Sequence, residues 1–238
     1  MLYAIGDLHL SIGSDKPMHV FGAAWENYEN RIIDGFSALQ PEDVCVICGD
    51  ISWGMSLQES VEDFKFIDRL GGRKIILKGN HDYWWTTASK ARHMCAEHGL
   101  TTIDFLNNNA FRVGEIAICG TRGWFYEEEK GDGHDKKIMQ RELMRLETSL
   151  KAAGDCAERI CFLHYPPVYK DYECREMLDL LNAYGVRRCF YGHIHGPGLR
   201  CAVQGGYKGI GFRMVSADYV GFKPVKIDEK PRNLSPDL

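Results

Sequence analysis

Three strand-sized apolar runs, at residues 2–6, 44–48 and 74–77, alternate with stretches of helical period in the first third of the chain. No other feature restricts the possible folds so tightly. Between the first two runs, Phe21, Trp25, Tyr28, Ile32, Phe36 and Leu39 recur at spacings of three and four, which predicts an amphipathic helix. Between the second and third, Ser56-x-x-Glu59 reads as a capping box. It opens a helix carrying Val61, Phe64, Ile67 and Leu70, which Gly71-Gly72 ends. Strand, helix, strand, helix, strand calls for parallel strands joined by right-handed crossovers, and in such sheets ligands collect beyond the carboxyl ends of the strands. Asp7, Asp50 and Asn80 all stand at such ends.

The pattern then changes. A third helix is expected from Thr86 to about Glu97, followed by a hairpin in which Gly114-Glu115 joins 110–113 to 116–119. This predicts a more antiparallel second half. Residues 123–135 are polar, with Trp124, Phe125 and Tyr126 at their start, and read either as a surface loop or as an active-site lid. A long helix with Met139, Leu143, Leu146 and Leu150 as its buried stripe leads to Gly154. Strands are expected at 160–163 and 188–191, ending at His164 and His193, with a helix through Cys174, Leu178 and Leu181 between them. The Gly-rich stretch to Asp218 reads as hairpin strands. One domain, 1–222, is expected, followed by a polar tail, 223–238, in which Pro224, Pro231 and Pro236 favour fraying.

At 238 residues and 45% hydrophobic content the chain can bury one sizeable core. A formal charge of -4 and a pI near 6.1 give no general attraction to phosphate backbones, so nucleic acid is a disfavoured partner. The longest apolar runs are strand-sized, which predicts no membrane span, and the start lacks the pattern of a signal peptide. A cytoplasmic protein is expected. The cysteine count is nine, an odd number, and Cys45, Cys48, Cys119, Cys161 and Cys189 lie within apolar runs, as reduced buried thiols do. Cys45 and Cys48 have a zinc-like spacing, but on a strand residues three apart point to opposite faces.

The polar residues at the strand ends carry the chemistry. Asp7 and His9 lie two apart, so on an extended segment both point to one side and can grip one ion; His193 and His195 repeat the spacing. Two such pincers suggest two ions, with Asp50 as the carboxylate to bridge them and Asn80 and His164 completing the second shell. Nitrogen and oxygen ligands without thiolate suit manganese, iron or zinc. Two ions about 3.5 to 4 Å apart clamp the attacking and leaving oxygens of a displacement at phosphorus. His19, His93, His98 and His134 lack any such context and read as ordinary residues.

Together, Gly6-Asp7-x-His9, Gly49-Asp50, Gly79-Asn80-His81-Asp82, His164 and Gly192-His193-x-His195 resemble the five-motif signature of the calcineurin-like metallophosphoesterases. The resemblance implies a four-layer α/β/β/α sandwich of two mixed sheets flanked by helices, with the metal site at strand carboxyl ends. It implies one metal on Asp7, His9, Asp50 and His195 and a second on Asp50, Asn80, His164 and His193. A metal-bound hydroxide would attack phosphorus, with His81 assisting the leaving group and Asp82 orienting His81. The chain departs from some branches. After Gly49-Asp50 comes Ile51-Ser52-Trp53-Gly54, without the phosphate-gripping arginine of the serine/threonine phosphatases and dinucleoside-polyphosphate hydrolases. His81 also differs from the arginine found there in the lipid A precursor hydrolases.

What remains is a small bacterial-type phosphohydrolase acting on a phosphomonoester or phosphodiester of a small organic molecule. The alternatives are a nuclease of the same superfamily and a non-catalytic metal-binding scaffold. For substrate contacts the sequence offers Arg122 as a replacement guanidinium, and Trp53 and Trp124 as stacking surfaces, among tryptophans that more often pack in cores.

Overall fold

The computed structural model describes residues 1–125 and 133–227. The first half follows the expected alternation: β1 (Leu2–Ile5), α1 (Tyr28–Phe36), β2 (Val44–Cys48), α2 (Val61–Arg69), β3 (Arg73–Leu77), α3 (Ala88–Glu97) and β4 (Ile103–Phe105). The second half adds β5 (Phe111–Val113), β6 (Ile116–Thr121), α4 (Gly133–Ala152), β7 (Glu158–Leu163), β8 (Val168–Tyr169), β9 (Tyr172–Glu173), α5 (Arg175–Ala183), β10 (Arg188–Tyr191), β11 (Gly205–Tyr207), β12 (Ile210–Met214) and β13 (Val225–Ile227). One sheet has the order β13-β1-β2-β3-β4 and the other β11-β12-β10-β7-β6-β5, while β8 and β9 pair by themselves.

Both sheets are covered on both faces, which is why every residue of β2 is buried. Cys45 and Ile47 turn outward onto Ile32 and Phe36 of α1, Phe64 and Ile67 of α2 and Ala91 and Met94 of α3. Val44, Val46 and Cys48 turn the other way, onto Ile118, Ile160, Phe162 and Phe190 of the second sheet. The far face of that sheet carries Ala117, Cys161, Leu163 and Cys189 against Leu146 and Leu150 of α4 and Met177 and Leu181 of α5. Helices, sheet, sheet, helices is the expected α/β/β/α sandwich. Cys45 and Cys48 fall in different layers, so they cannot chelate one ion, and all nine cysteines are free.

Several local expectations shift. The second sheet is mostly parallel: β6, β7, β10 and β12 run together, and only the edge strands β5 and β11 are antiparallel. The helices α4 and α5 supply crossovers that return the chain to the same end, a pattern that the Gly114-Glu115 hairpin masked. The first predicted helix is broken. Gly22 at φ 120° and Asn27 at φ 51° leave two 3₁₀ turns, Met18–Phe21 and Ala23–Trp25, ahead of α1, and Phe21 is 57% exposed.

The Ser56/Glu59 pair closes the turn before α2 instead of capping it. Ser56 Oγ accepts from the Glu59 amide at 3.3 Å, and Glu59 Oε2 from the Met55 amide at 2.9 Å. Thr87 caps α3 through the Lys90 amide at 3.2 Å. Most of the loop expected at 123–135 lies outside the described residues, and its last three residues already belong to α4. Within the expected tail, β13 pairs antiparallel with β1, because Pro224 precedes the strand and removes no ladder donor. None of the helices is long and apolar enough to cross a membrane among the described residues.

Candidate metal centre

The site is built on turns that ordinary residues resist. Asp7, His9, Asp50 and His193 have φ of 59°, 47°, 51° and 72°, the left-handed region that costs a side chain free energy and persists where the surroundings enforce it. Here the enforcement is visible. The amides of Asp7, His9 and Leu10 each donate at 2.9 Å to the carbonyls of Gly49, Asp50 and Ile51, so the turns after β1 and β2 are laced together. Asp82, fully buried, accepts from the amides of Gly79 at 2.7 Å, Ile51 at 2.8 Å and Asp50 at 3.0 Å, and from Trp84 Nε1 at 2.9 Å. It thereby fastens the turn after β3 to the turn after β2. The glycines permit the closeness: a Cβ on Gly79 would lie 2.1 Å from Asp50 Oδ1, and one on Gly192 2.4 Å from Asp7 Oδ2.

The sheets converge at this end. The Gly6 amide donates to the Val215 carbonyl at 2.8 Å and the Ala217 amide to the Gly6 carbonyl at 2.9 Å, joining the ends of β1 and β12. Two side-chain groups result: Asp7, His9 and His195 in one, Asp50, His164 and His193 in the other, each with its ligand atoms within 4.8 Å of one another. Asn80 adds its Oδ1 to the second, at 2.6 Å from His164 Nε2 and 2.9 Å from His193 Nδ1. Asp50 Oδ2 stands 3.7 Å from His9 Nε2 and 3.6 Å from His164 Nε2, midway between the groups. The seven side chains that the sequence singled out are therefore all in one place.

Their chemistry fits divalent cations. His195 Nε2 is buried, without a hydrogen-bond partner, and 3.5 Å from Asp7 Oδ1. His164 Nε2 and His193 Nδ1 face each other at 3.2 Å around the Asn80 oxygen. Burial pushes the pKa of His9, His164 and His193 down, which keeps their rings neutral and able to donate a lone pair. Burial, with Asp82 and Asp7 close by, pushes Asp50 up. Against the effect of burial, Asp7 and Asp218 raise His195 to about 10.

His81 sits beside these groups. Burial first, then the charges of His164 and Lys16, hold its pKa near 4. Its ring lies 4.6 Å from that of Trp53, which stacks on His9 at 5.0 Å. Asp82, expected to orient His81, spends its carboxylate on backbone amides and Trp84; the group at His81 Nδ1 is the Tyr83 hydroxyl, at 3.3 Å. Arg122 is tied to Glu142 at 3.2 Å and lies 4.9 Å from the Trp124 ring, with its Nε buried and without a partner. Trp124 packs on Tyr165 at 5.1 Å, and Tyr165 on His193 at 4.0 Å, so the second group has an aromatic wall of its own.

Two further residues escaped the sequence reading. Asp218 Oδ1 is 2.9 Å from His195 Nδ1, and its place just past a strand repeats the position of the other site carboxylates. Glu142, fully buried, accepts from Thr121 Oγ1 at 2.6 Å, Arg145 Nη1 at 2.7 Å and Arg122. Its spacing of three and four from Met139 and Leu146 on the apolar stripe of α4 was the available signal.

The fold has counterparts among solved structures. Phosphopantetheinyl hydrolase from Mycobacterium tuberculosis superposes with a TM-score of 0.56 at 15% identity, covering 97% of each chain. A protein of unknown function from Aquifex aeolicus superposes with a TM-score of 0.50 at 14% identity, covering 94% of each. At such identities the likeness concerns the fold alone. No curated protein matches the chain significantly. The profile of the calcineurin-like phosphoesterases matches residues 2–197, a span that holds all seven candidate ligands and His81, and the chain belongs to that family of phosphoester hydrolases.

Proposed function

We propose that the protein hydrolyses a phosphomonoester or phosphodiester of a small organic molecule at a dinuclear metal centre. The observation that carries this reading is the midway position of Asp50 Oδ2, 3.7 Å from one group's imidazole and 3.6 Å from the other's. In the proposed arrangement Asp7, His9, Asp50 and His195 hold one ion and Asp50, Asn80, His164 and His193 the other. Two divalent ions of the manganese, iron or zinc kind would neutralise the phosphoryl oxygens and make water a nucleophile near neutral pH. The rest falls to the chain's own side chains. His81 gives a proton to the leaving oxygen, and Tyr83 holds its Nδ1 side. Asp82 acts at one remove, keeping the turns that carry Asp50, Asn80 and His81 in register through the amides of Asp50, Ile51 and Gly79.

Arg122, Trp53 and Trp124 remain the proposed substrate contacts. Trp53 flanks His9 and His81, whereas Trp124 lies toward His193 through Tyr165. A cytosolic setting, suggested by nine free thiols, belongs to the same proposal. The hydrolase from Mycobacterium tuberculosis has a phosphopantetheinyl substrate by its name, and a diester with an extended organic arm is therefore included in the assay set. Metal-stripped protein, reloaded with manganese, iron or zinc one at a time, should turn over aryl phosphate monoesters or diesters. No metal-dependent turnover on any member of the set would overturn the reading.

A further inference from the structure

We propose that the recess beside His81 binds the leaving portion of the substrate, and that Lys16 there grips a second anionic group, a carboxylate or phosphate, carried by that portion. This rests on the phosphoesterase reading and narrows its substrate class to esters whose leaving alcohol is itself anionic. The recess has a volume of about 460 Å³ and is walled by Lys16, Trp53, Met55 and Tyr83. Two of those walls also touch His81: the Trp53 ring at 4.6 Å and the Tyr83 hydroxyl at 3.3 Å from Nδ1. A proton donor marks the side from which the alcohol departs, so a cavity sharing its walls lies on that side.

The Lys16 ammonium stands 3.0 Å above the centre of the Trp53 ring. No carboxylate pairs with it among the described residues, although the side chain is half-buried. A cation resting on an indole face is held weakly compared with one that meets an anion through a charge-assisted hydrogen bond. Two carboxylates share the recess. Glu59 is engaged by the Met55 amide at 2.9 Å, and Asp15 is exposed to water, which screens it. The segment around Lys16 also has room: a second cavity of about 300 Å³ is lined by Ser14, Asp15 and Lys16 with Met18 and Trp25. Trp53 is held from that side by its Nε1, 3.0 Å from Met18 Sδ, and remains a fixed floor if the ammonium moves.

The test compares phenyl phosphate with its meta- and para-carboxylated analogues on the metal-loaded protein. The wild type should prefer a carboxylated ester by about tenfold or more in kcat/KM. Lys16→Met should abolish that preference, read as the ratio of kcat/KM on the carboxylated esters to that on phenyl phosphate, in which any effect of the Lys16 charge on His81 cancels. A wild type without preference, or equal losses on all three esters in Lys16→Met, would overturn the assignment. A second measurement needs no turnover: saturation-transfer NMR of 4-hydroxybenzoate and phenol with metal-stripped protein. Contact with hydroxybenzoate that Lys16→Met removes supports the anion site even if the esters are not hydrolysed, in which case the phosphoesterase reading fails and the recess keeps its ligand class. Identical signals for hydroxybenzoate with both proteins would sink the site by itself.

Discussion

The imidazole of His81 is required by neither ligand group, and with its pKa lowered to about 4 it must first take up a proton from solvent, favoured by the negative charge of a bound phosphate ester, before the imidazolium can pass that proton to the departing oxygen. A positioned general acid contributes roughly 10²- to 10⁴-fold, and the benefit grows as the leaving group worsens. His81→Ala should therefore lose about that much on alkyl esters and far less on nitrophenyl esters, with both metals retained. Equal losses at full metal occupancy would show that His81 positions phosphate instead of donating a proton. Asp218 makes a different kind of claim, because its carboxylate touches the ligand His195 and not the reacting atoms. Such outer partners fix the tautomer and direction of a metal-binding ring and are worth about 10- to 100-fold in affinity. Asp218→Ala should weaken one ion by that factor in a chelator competition and leave the other tightly held, whereas unchanged affinity for both would deny the role. The ligands were legible in the sequence because each follows an apolar run within a few residues. Asp218, Tyr83 and the actual partners of Asp82 were not, since those pairings exist only once separate turns are brought together.

At the scale of elements, the join between α2 and β3 depends on one buried charge. Lys74 is fully buried in β3, and its ammonium donates to the carbonyls of Leu70 at 2.6 Å, Gly72 at 2.8 Å and Asp68 at 3.2 Å, acceptors in the last turn of α2 and the turn that follows it. Lys74→Met would fill the space but strand the carbonyls of Leu70 and Gly72, while that of Asp68 keeps the Thr102 hydroxyl at 3.1 Å, at a cost of about 1–3 kcal/mol. Burial lowers the Lys74 pKa to about 8. The unfolded chain, with the ordinary lysine pKa of 10.5, then binds more protons than the folded one between about pH 8 and 10.5, so stability rises with pH across that window. Urea unfolding of wild type and Lys74→Met at pH 7.5 and 9.5 should show the gap between them widening at the higher pH; a constant gap would mean that the ammonium is not strained by burial. The sequence read Lys74 only as the first residue of a strand. Its apolar neighbours gave β3, just as period and spacing gave α2 and α3, but alternation within strands could not say that β6, β7, β10 and β12 run parallel. That depends on which way α4 and α5 carry the chain. Gly22 and Asn27 likewise interrupt a stripe whose apolar spacing continues unbroken through them.

Across the whole molecule, each ligand group takes residues from both sheets: Asp7 and His9 follow β1 while His195 follows β10, and Asp50 follows β2 while His164 and His193 follow β7 and β10. Without cations, this seam holds together crowded carboxylates and the buried neutral rings of His9, His164 and His193, with His195 the one charged ring among them, a liability that hydrogen bonds such as Gly6 to Val215 offset. Bound ions would turn the liability into cross-links, and anything that binds only the folded state stabilises it by about 2.7 kcal/mol per site at a hundredfold excess over Kd. Elemental analysis should find about two divalent ions per chain, and chelation should lower the wild-type Tm. Asp50→Asn is the sharper probe. It keeps an acceptor for the His81 amide, 2.8 Å from Asp50 Oδ1, but removes the negative charge that faces Asp7 and Asp82 and that both ions would share. Metal-stripped Asp50→Asn should thus melt at or above the metal-stripped wild type, while losing most of the rise in Tm on adding metal and most of the bound metal at both sites. A variant that holds one ion as tightly as before and gains the full stabilisation from it would show that Asp50 belongs to one group only, and the dinuclear centre would have to be abandoned.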